Sequence, residues 1–402
     1  MLASAFIEIS IGLFLFLAVC LGHAALWICH HNWWYAFPFR KDWPSDVVHL
    51  IHAVILLGFP TWLVFEYGIE VQRWAFDFGT PGRAILFGYL CLCWFMALVL
   101  FPLETILRRR RRFPAVLAAN HTVTRDFARE LGYRPVGSAR FLRLASLPRN
   151  EIFQVDFSEK TLRVAGLPAE WDGLSILHLS DLHFIGVPDR IFHLRVMETC
   201  AAWEPDILAL TGDIVDTHQH RRWILPVLGR LRWKIAAFAI LGNHDLHWEP
   251  ELVRRRLRRL DMHVLGNGWK TIEVRGVPMA LIGNEEPWFR PGPDLADCPP
   301  GIFRVCLSHT PDNIAWARRN QVRLMLSGHN HGGQIRLPGI GSVFVPSRYS
   351  RRYDCGTFDE PPTLLHVCRG LASQHPVRYN CRPEIVKLIL RSAPNGTPQG
   401  PG

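Results

Sequence analysis

Hydrophobic positions along the chain follow two regimes. The first third carries long apolar stretches at about residues 2–29, 47–67 and 84–107. Each reaches the roughly 20 residues that a helix needs to cross a bilayer. The first contains Glu8 as its only formal charge, and the third is uncharged until Glu104. Three membrane helices are therefore predicted. Trp27, Trp33, Trp34, Trp43 and Trp74 lie at stretch ends or in connectors, where an interfacial aromatic belt belongs. Further on, the pattern changes to short apolar runs of strand length, at residues 174–180, 207–211, 235–241, 303–307 and 322–326. Their spacing fits βαβ units of roughly 30 residues. Residues 152–157 and 161–165 read as an opening hairpin. The expected organisation is a membrane anchor at 1–112, a linker at 113–150 with prolines at 114, 135 and 148, an α/β domain at 151–391 and a disordered tail at 392–402.

Each of the five short runs ends in a polar block. The blocks are Asp181 with His183, Gly212 with Asp213, Gly242 to Asp245 through Asn243 and His244, Ser308 with His309, and Gly328 to His331 through His329 and Asn330. Every block carries an oxygen or nitrogen donor suited to Mn, Fe, Zn or Mg. Any one alone reads as a turn or a helix cap. Five in order, each just past the end of an apolar run, form a ligand set for two adjacent cations. Open α/β sheets place ligand sites at that end of their strands. Two cations about 3.5–4 Å apart would clamp a phosphoryl group and acidify a water.

Charge and cysteine usage refine the picture. Five consecutive arginines, Arg108 to Arg112, follow the third stretch, and the connector after the first carries Arg40 and Lys41. Arg73 and Arg83 in the next connector are balanced by Glu70 and Asp77. The excess of basic residues on cytoplasmic flanks then puts the N-terminus outside and the catalytic domain in the cytoplasm. Four of the ten cysteines lie in the apolar stretches and the others form no Cys-x-x-Cys pair, as in a reduced compartment. His23, His30, His31, His49 and His52 cluster in or beside the stretches and read as hydrogen-bonding groups. The net charge of +10 points to an anionic partner, and a bilayer surface is nearer to hand than nucleic acid, for which no recognition motif is present. Residues 251–260 read as a helix with a solvated basic face, or as one lying on the bilayer. Arg348, Arg351 and Arg352 read as solvated or as contacts to a substrate phosphate.

The ordered blocks resemble the calcineurin-like metallophosphoesterases. Residues 328–338, and 382–386 near the end, resemble the membrane-anchored bacterial phosphodiesterase branch. The resemblance spans about residues 150–391. It implies a four-layer α/β sandwich of two packed sheets flanked by helices. By position it places one metal on Asp181, His183 and His331, a second on Asn243, His309 and His329, and Asp213 between them. It makes His244 the catalytic histidine, oriented by Asp216, and requires two divalent ions, with Mn favoured. The Arg-Gly pair of protein Ser/Thr phosphatases is missing after Asp216. Purple acid phosphatases have Tyr where Asp216 stands. The implied activity is hydrolysis of a lipid-linked phosphodiester or pyrophosphate such as UDP-2,3-diacylglucosamine. The alternatives are a phospholipid or cyclic-nucleotide phosphodiesterase, a non-catalytic membrane scaffold on the same fold, and a sensor or transporter working through its spans.

Overall fold

The computed structural model describes residues 2–37, 45–69, 79–111 and 114–393. It divides the chain into two units, Met1–Arg111 and Arg112–Gly402. Arg40, Lys41, Trp43, Glu70, Arg73, Trp74, Asp77, Arg112 and the tail from residue 394 onward lie outside the described residues.

The first unit is helical throughout its described residues: α1 (Leu2–Tyr35), α2 (Ser45–Tyr67), α3 (Pro81–Phe95), a π-helical turn (Met96–Leu100) and α4 (Phe101–Arg111). The last three run on as one span, so three helices are long and apolar enough to cross a membrane. Thr80 caps α3 by accepting from the Arg83 N–H, and Pro81 takes the first helical position, where its missing N–H costs nothing. Val19, Leu63, Leu90 and Cys93 pack together inside. Phe65, Ile85 and Leu57 are 86%, 76% and 69% exposed. Side chains of that size facing outward fit a lipid surround better than water. The histidines hydrogen-bond between helices: His30 Nδ1 lies 2.9 Å from His52 Nε2, and His23 Nδ1 lies 2.7 Å from the Tyr89 hydroxyl.

The second unit opens with β1 (Leu117–Asp126), α5 (Phe127–Leu131) and α6 (Leu142–Ala145). Then come β2 (Gln154–Val164), β3 (Ser175–Leu179), α7 (Arg190–Ala201), β4 (Ile207–Thr211), α8 (Ile224–Leu228), β5 (Ala236–Ile240), α9 (Pro250–Arg258) and β6 (Met262–Val264). The second half holds β7 (Trp269–Val274), β8 (Val277–Asn284), β9 (Phe303–Ser308), α10 (Ile314–Arg319) and β10 (Leu324–Ser327). It ends with β11 (Arg336–Leu337), β12 (Gly341–Ser342), β13 (Gly356–Glu360), β14 (Thr363–Val367) and β15 (Glu384–Ser392). One sheet runs β1-β2-β15-β3-β4-β5-β6, the other runs β13-β14-β10-β9-β8-β7, and β11 with β12 makes a small hairpin.

Strand alternation explains the layering. On β3, Leu177 and Leu179 join Phe192, Val196 and Ile224 beneath α7 and α8. Ile176 faces the other way, joining Phe238, Leu281, Val305 and Leu388 between the sheets. Ile282, Cys306 and Met325 pack with Ile314 of α10 on the far face of the second sheet. Helices, sheet, sheet and helix stack as the expected four-layer sandwich.

Two expectations change. Residues 152–165 are not a hairpin: Gln154–Val164 is one strand, and its antiparallel partner is β1, inside the expected linker, with Thr122 opposite Ser158. The polar stretch Ser158 to Lys160 resembles a turn, but Ser158 and Lys160 are buried. The Lys160 ammonium donates to Glu384 Oε1 at 2.8 Å and lies 3.3 Å from His366 Nε2. From there a polar seam crosses between the sheets. His366 Nδ1 lies 3.0 Å from His178 Nδ1, and His178 Nε2 lies 3.0 Å from Thr211 Oγ1. Arg369 adds bonds to Glu384 and Asp156 at 3.2 and 2.9 Å, so the buried charges are paired.

Candidate metal centre

Five strand ends converge on one place. β3 delivers Asp181 and His183, β4 delivers Asp213, β5 delivers Asn243 and His244, β9 delivers His309, and β10 delivers His329 and His331. The chain turns sharply here. Asp181, His183, Asp213, His329 and His331 all have φ between 40° and 67°. Asp and His tolerate this left-handed region better than most residues, and such strain collects at functional sites. The turns are sewn together by main-chain bonds. The Asp181 N–H donates to Gly212 O at 2.9 Å, and the His183 N–H donates to Asp213 O at 3.0 Å. Gly328 allows the closest approach: a Cβ there would sit 1.9 Å from Ser180 Oγ and 2.2 Å from Asp181 Oδ2.

The donor atoms form two groups, and Asp213 of the second reaches toward His183 of the first. Asp181, His183 and His331 make the first, and Asp213, His309 and His329 the second, each with ligand atoms within 4.8 Å of one another. His183, Asp213 and His244 form an overlapping third group. His183 Nε2 lies 3.3 Å from His331 Nε2 and 3.7 Å from Asp213 Oδ2. His331 Nε2 lies 3.6 Å from Asp181 Oδ1. His309 Nε2 lies 3.2 Å from Asp213 Oδ2 and 3.1 Å from Asn243 Oδ1. Donors about 2.0–2.2 Å from a common cation are separated by about 3–3.5 Å, close to the spacing found here. The His329 ring hydrogen-bonds the Pro346 carbonyl, and its buried Nε2 has no partner among the described residues. The donor set therefore fits two divalent cations.

Electrostatics point the same way. Burial raises the Asp181 carboxyl, and neighbouring Asp213 adds to the rise. Burial also opposes the Asp213 charge, but His309, His244 and His183 outweigh it and hold Asp213 well below the usual range. Burial pushes His329 down to about 3. Burial opposes the charge on His309 too, yet Asp213 and Asp181 overcome it and raise this ring to about 9. The His309 Nδ1 lies 2.7 Å from the Thr211 carbonyl. It donates there, which leaves Nε2 facing the centre as a ligand atom.

Asp216 lies behind the donors and serves two rings. Its Oδ2 is 2.8 Å from His183 Nδ1 and its Oδ1 is 2.5 Å from His244 Nδ1. Burial lowers His244, yet Asp213 and Asp216 carry it up to about 10. The His244 N–H also donates to Asp213 Oδ1 at 2.9 Å.

Several neighbours had no assigned role in the sequence. The Asp245 carboxylate accepts from the Ile214, Val215 and Gly242 N–H groups at 3.0, 3.1 and 2.9 Å, tying the β4 exit to the β5 exit. Arg378 is fully buried and donates to the carbonyls of His331, Ala372 and Arg369 at 2.8, 2.7 and 3.0 Å. The Trp288 ring lies 4.9 Å from that of His329 and 5.5 Å from that of His309. His375 stands at the rim; burial lowers it, and it also feels Arg140 and His244. Asp245 belongs to one of the five polar blocks, so its position alone marked it. An isolated Arg or Trp in a loop leaves no local pattern.

Three arginine expectations are corrected. Arg254 of α9 turns inward, donating to Glu285 Oε1 at 2.9 Å, and Glu285 in turn accepts the Leu241 N–H at 2.7 Å. Arg351 is buried and donates to Ser342 O at 3.3 Å. Arg352 pairs with Glu360 at 2.8 Å.

Residues 174–333 match the family model for calcineurin-like phosphoesterases. Over 265 residues the chain is 30% identical to the uncharacterized metallophosphoesterase YkuE of Bacillus subtilis, covering 64% of this chain and 90% of that protein. The chain belongs to the calcineurin-like phosphoesterase family. It is also 32% identical over 230 residues to phosphodiesterase YaeI of Escherichia coli, covering 54% of this chain and 81% of that one. A third relative is UDP-2,3-diacylglucosamine pyrophosphatase LpxG of Chlamydia trachomatis, 25% identical over 280 residues, covering 54% of this chain and 83% of that one. As a calcineurin-like phosphoesterase the chain is a hydrolase of a family that uses divalent metals, and its His/Asp clusters could bind them.

Proposed function

We propose that this chain is a membrane-anchored phosphoesterase with two divalent cations, hydrolysing a phosphodiester or pyrophosphate of a lipid-linked substrate. The observation that carries this reading is Asp213, one buried carboxylate whose Oδ2 lies between His183 of one donor group and His309 of the other, at 3.7 and 3.2 Å, with the His244 main-chain N–H bonded to it and the His244 ring beside Asp216. Asp181, His183 and His331 would hold one cation, Asn243, His309 and His329 the other, and Asp213 both. These mixed nitrogen and oxygen donors suit Mn, Fe, Zn or Mg, and Mn is the metal taken first for the test. Bound there, the cations would withdraw charge from phosphoryl oxygens and acidify a water for in-line attack. His244 would give a proton to the leaving oxygen, with Asp216 fixing its ring and favouring the charged form. Asp245 and Arg378 would hold the loops that carry these groups.

Three membrane-length helices support a substrate met at the bilayer. The pyrophosphatase relative supports UDP-2,3-diacylglucosamine as the leading candidate. Arg108 to Arg111 close α4, which by the positive-inside rule supports a cytoplasmic catalytic unit. The test is mass-spectrometric product analysis with purified full chain, Mn²⁺ and UDP-2,3-diacylglucosamine, with Asn243→Ala as control. Release of UMP and lipid monophosphate by the wild type alone supports the whole reading. Cleavage of bis-p-nitrophenyl phosphate without that release keeps the phosphodiesterase and removes this substrate. Silence on both, with metal bound, overturns the catalytic reading in favour of a scaffold.

A further inference from the structure

The second unit carries an apolar surface beside the metal centre that its core does not use. In and around α6, Phe141 and Ala145 point into the core, while Leu142, Leu144 and Leu147 are 50%, 37% and 39% exposed. At the β11–β12 hairpin, Ile335 and Leu337 are 44% and 45% exposed. These two segments are neighbours through Tyr379. The Tyr379 hydroxyl donates to Pro148 O at 2.7 Å. Its N–H donates to Gln334 O, and its carbonyl accepts from the Arg336 N–H, both at 3.0 Å. Single exposed apolar residues are ordinary. Val123, Ile191 and Ile235 are of that kind, each on a different segment. Five together on adjoining segments signal an interface.

The charges on these two segments have one sign; the nearby carboxylates of Glu151 and Asp354 are paired with Arg382 and Arg336 at 3.1 and 2.7 Å. Arg140, Arg143 and Arg149 are exposed and make no ion pair among the described residues. Residues 131–150 contain no Asp or Glu, and neither do residues 334–344. Leucines interleaved with arginines match the two layers of an anionic bilayer face, acyl chains below and phosphate above. The surface also adjoins the metal centre. The donor His331 stands just before Gln334, where the hairpin segment begins. Arg378, next to Tyr379, holds the His331 carbonyl at 2.8 Å.

We infer that Leu142, Leu144, Leu147, Ile335 and Leu337, with Arg140, Arg143 and Arg149, form a docking surface for an anionic lipid bilayer. Such docking would hold the adjoining metal centre close to the headgroup layer. The inference deepens the reading of a lipid-linked substrate and rests on it for its purpose, though the contact itself is measured without any substrate.

The experiment places the photocrosslinker p-benzoylphenylalanine at Leu144, Leu337 or, as control, Ile235 of the full chain. The protein is reconstituted in nanodiscs of phosphatidylglycerol and phosphatidylcholine, irradiated and analysed by mass spectrometry. Lipid adducts at positions 144 and 337 at least fivefold above position 235 are expected. Arg143→Gln with Arg149→Gln, or discs of phosphatidylcholine alone, should reduce them severalfold. Adduct yields equal to the control overturn the inference, and so does a covalent dimer in place of lipid adducts, which assigns the surface to a second copy. Hydrolysis of bis-p-nitrophenyl phosphate by the same samples, expected within twofold of wild type, reports that the fold is intact. Its absence in wild type would count against the catalytic reading and leave the adduct comparison to decide the surface.

Discussion

On the proposed reading, single residues at the candidate metal centre would carry separable duties. His244 touches the donor set through its neighbours, while His309 belongs to it. His244→Ala should therefore lower kcat on bis-p-nitrophenyl phosphate by about 10²–10⁴ with metal content by plasma mass spectrometry unchanged. His309→Ala should lose bound metal as well as turnover. Equal metal loss in both variants would merge the two roles. Gly328 gives a steric counterpart. A methyl group there would collide with Ser180 and Asp181, so Gly328→Ala should cut metal content while leaving the far-ultraviolet circular dichroism near wild type. The residues that converge at this centre stood out in the sequence because each sits in a short block after an apolar run. Arg378 did not, because its bonds go to main-chain carbonyls, two in its own loop at Arg369 and Ala372 and one 47 residues away at His331, and such bonds leave no side-chain pattern.

At the scale of elements, buried ion pairs hold the centre in place. Arg254 of α9 and Glu285, just after β8, meet beside the exit of β5. Arg254→Met should destabilise the second unit by about 3–5 kcal/mol, the usual effect of leaving a buried partner charge alone, measured by thermal melting in detergent. Glu384 at the start of β15 adds a pH dependence. Burial opposes its charge, but Arg369 and Lys160 outweigh this and hold its carboxyl well below the ordinary glutamate range. The unfolded chain then binds the proton first as pH falls, so the stabilisation is present above about 4.3, the unfolded value, and is lost progressively below it. Glu384→Gln should lower the melting temperature at neutral pH, and its gap from wild type should narrow below a pH of about 4.3. Melting curves that stay parallel from neutral into acid would remove Glu384 from this role. β3, β4, β5, β9 and β10 could be read from the sequence because nearly every position is buried. β1 escaped because its side chains are mostly exposed, and β2 because its inward face carries Ser158 and Lys160.

Across the whole molecule, an apolar helical unit and an α/β unit share one chain, and the sequence separated them because their hydrophobic periods differ. The membrane-length helices were plain. The side of the membrane is a proposal that fusions can decide. With the catalytic unit in the cytoplasm, a green fluorescent protein joined after Gly402 should fluoresce and an alkaline phosphatase joined there should stay inactive. The reverse pattern would invert the orientation.

The position of β15 has a consequence for biosynthesis. This strand lies between β2 and β3, parallel to one and antiparallel to the other. More than two hundred residues separate β2 from it. Until the ribosome has released the chain through Ser392, the larger sheet is split at its middle. The Lys160 ammonium then has no carboxylate at Glu384, and the seam leading to Thr211 beneath His309 lacks its far end. If the proposed centre binds metal, capture should come after synthesis of the domain rather than during it, and a nascent chain stalled before residue 384 should emerge with these side chains made but not yet assembled.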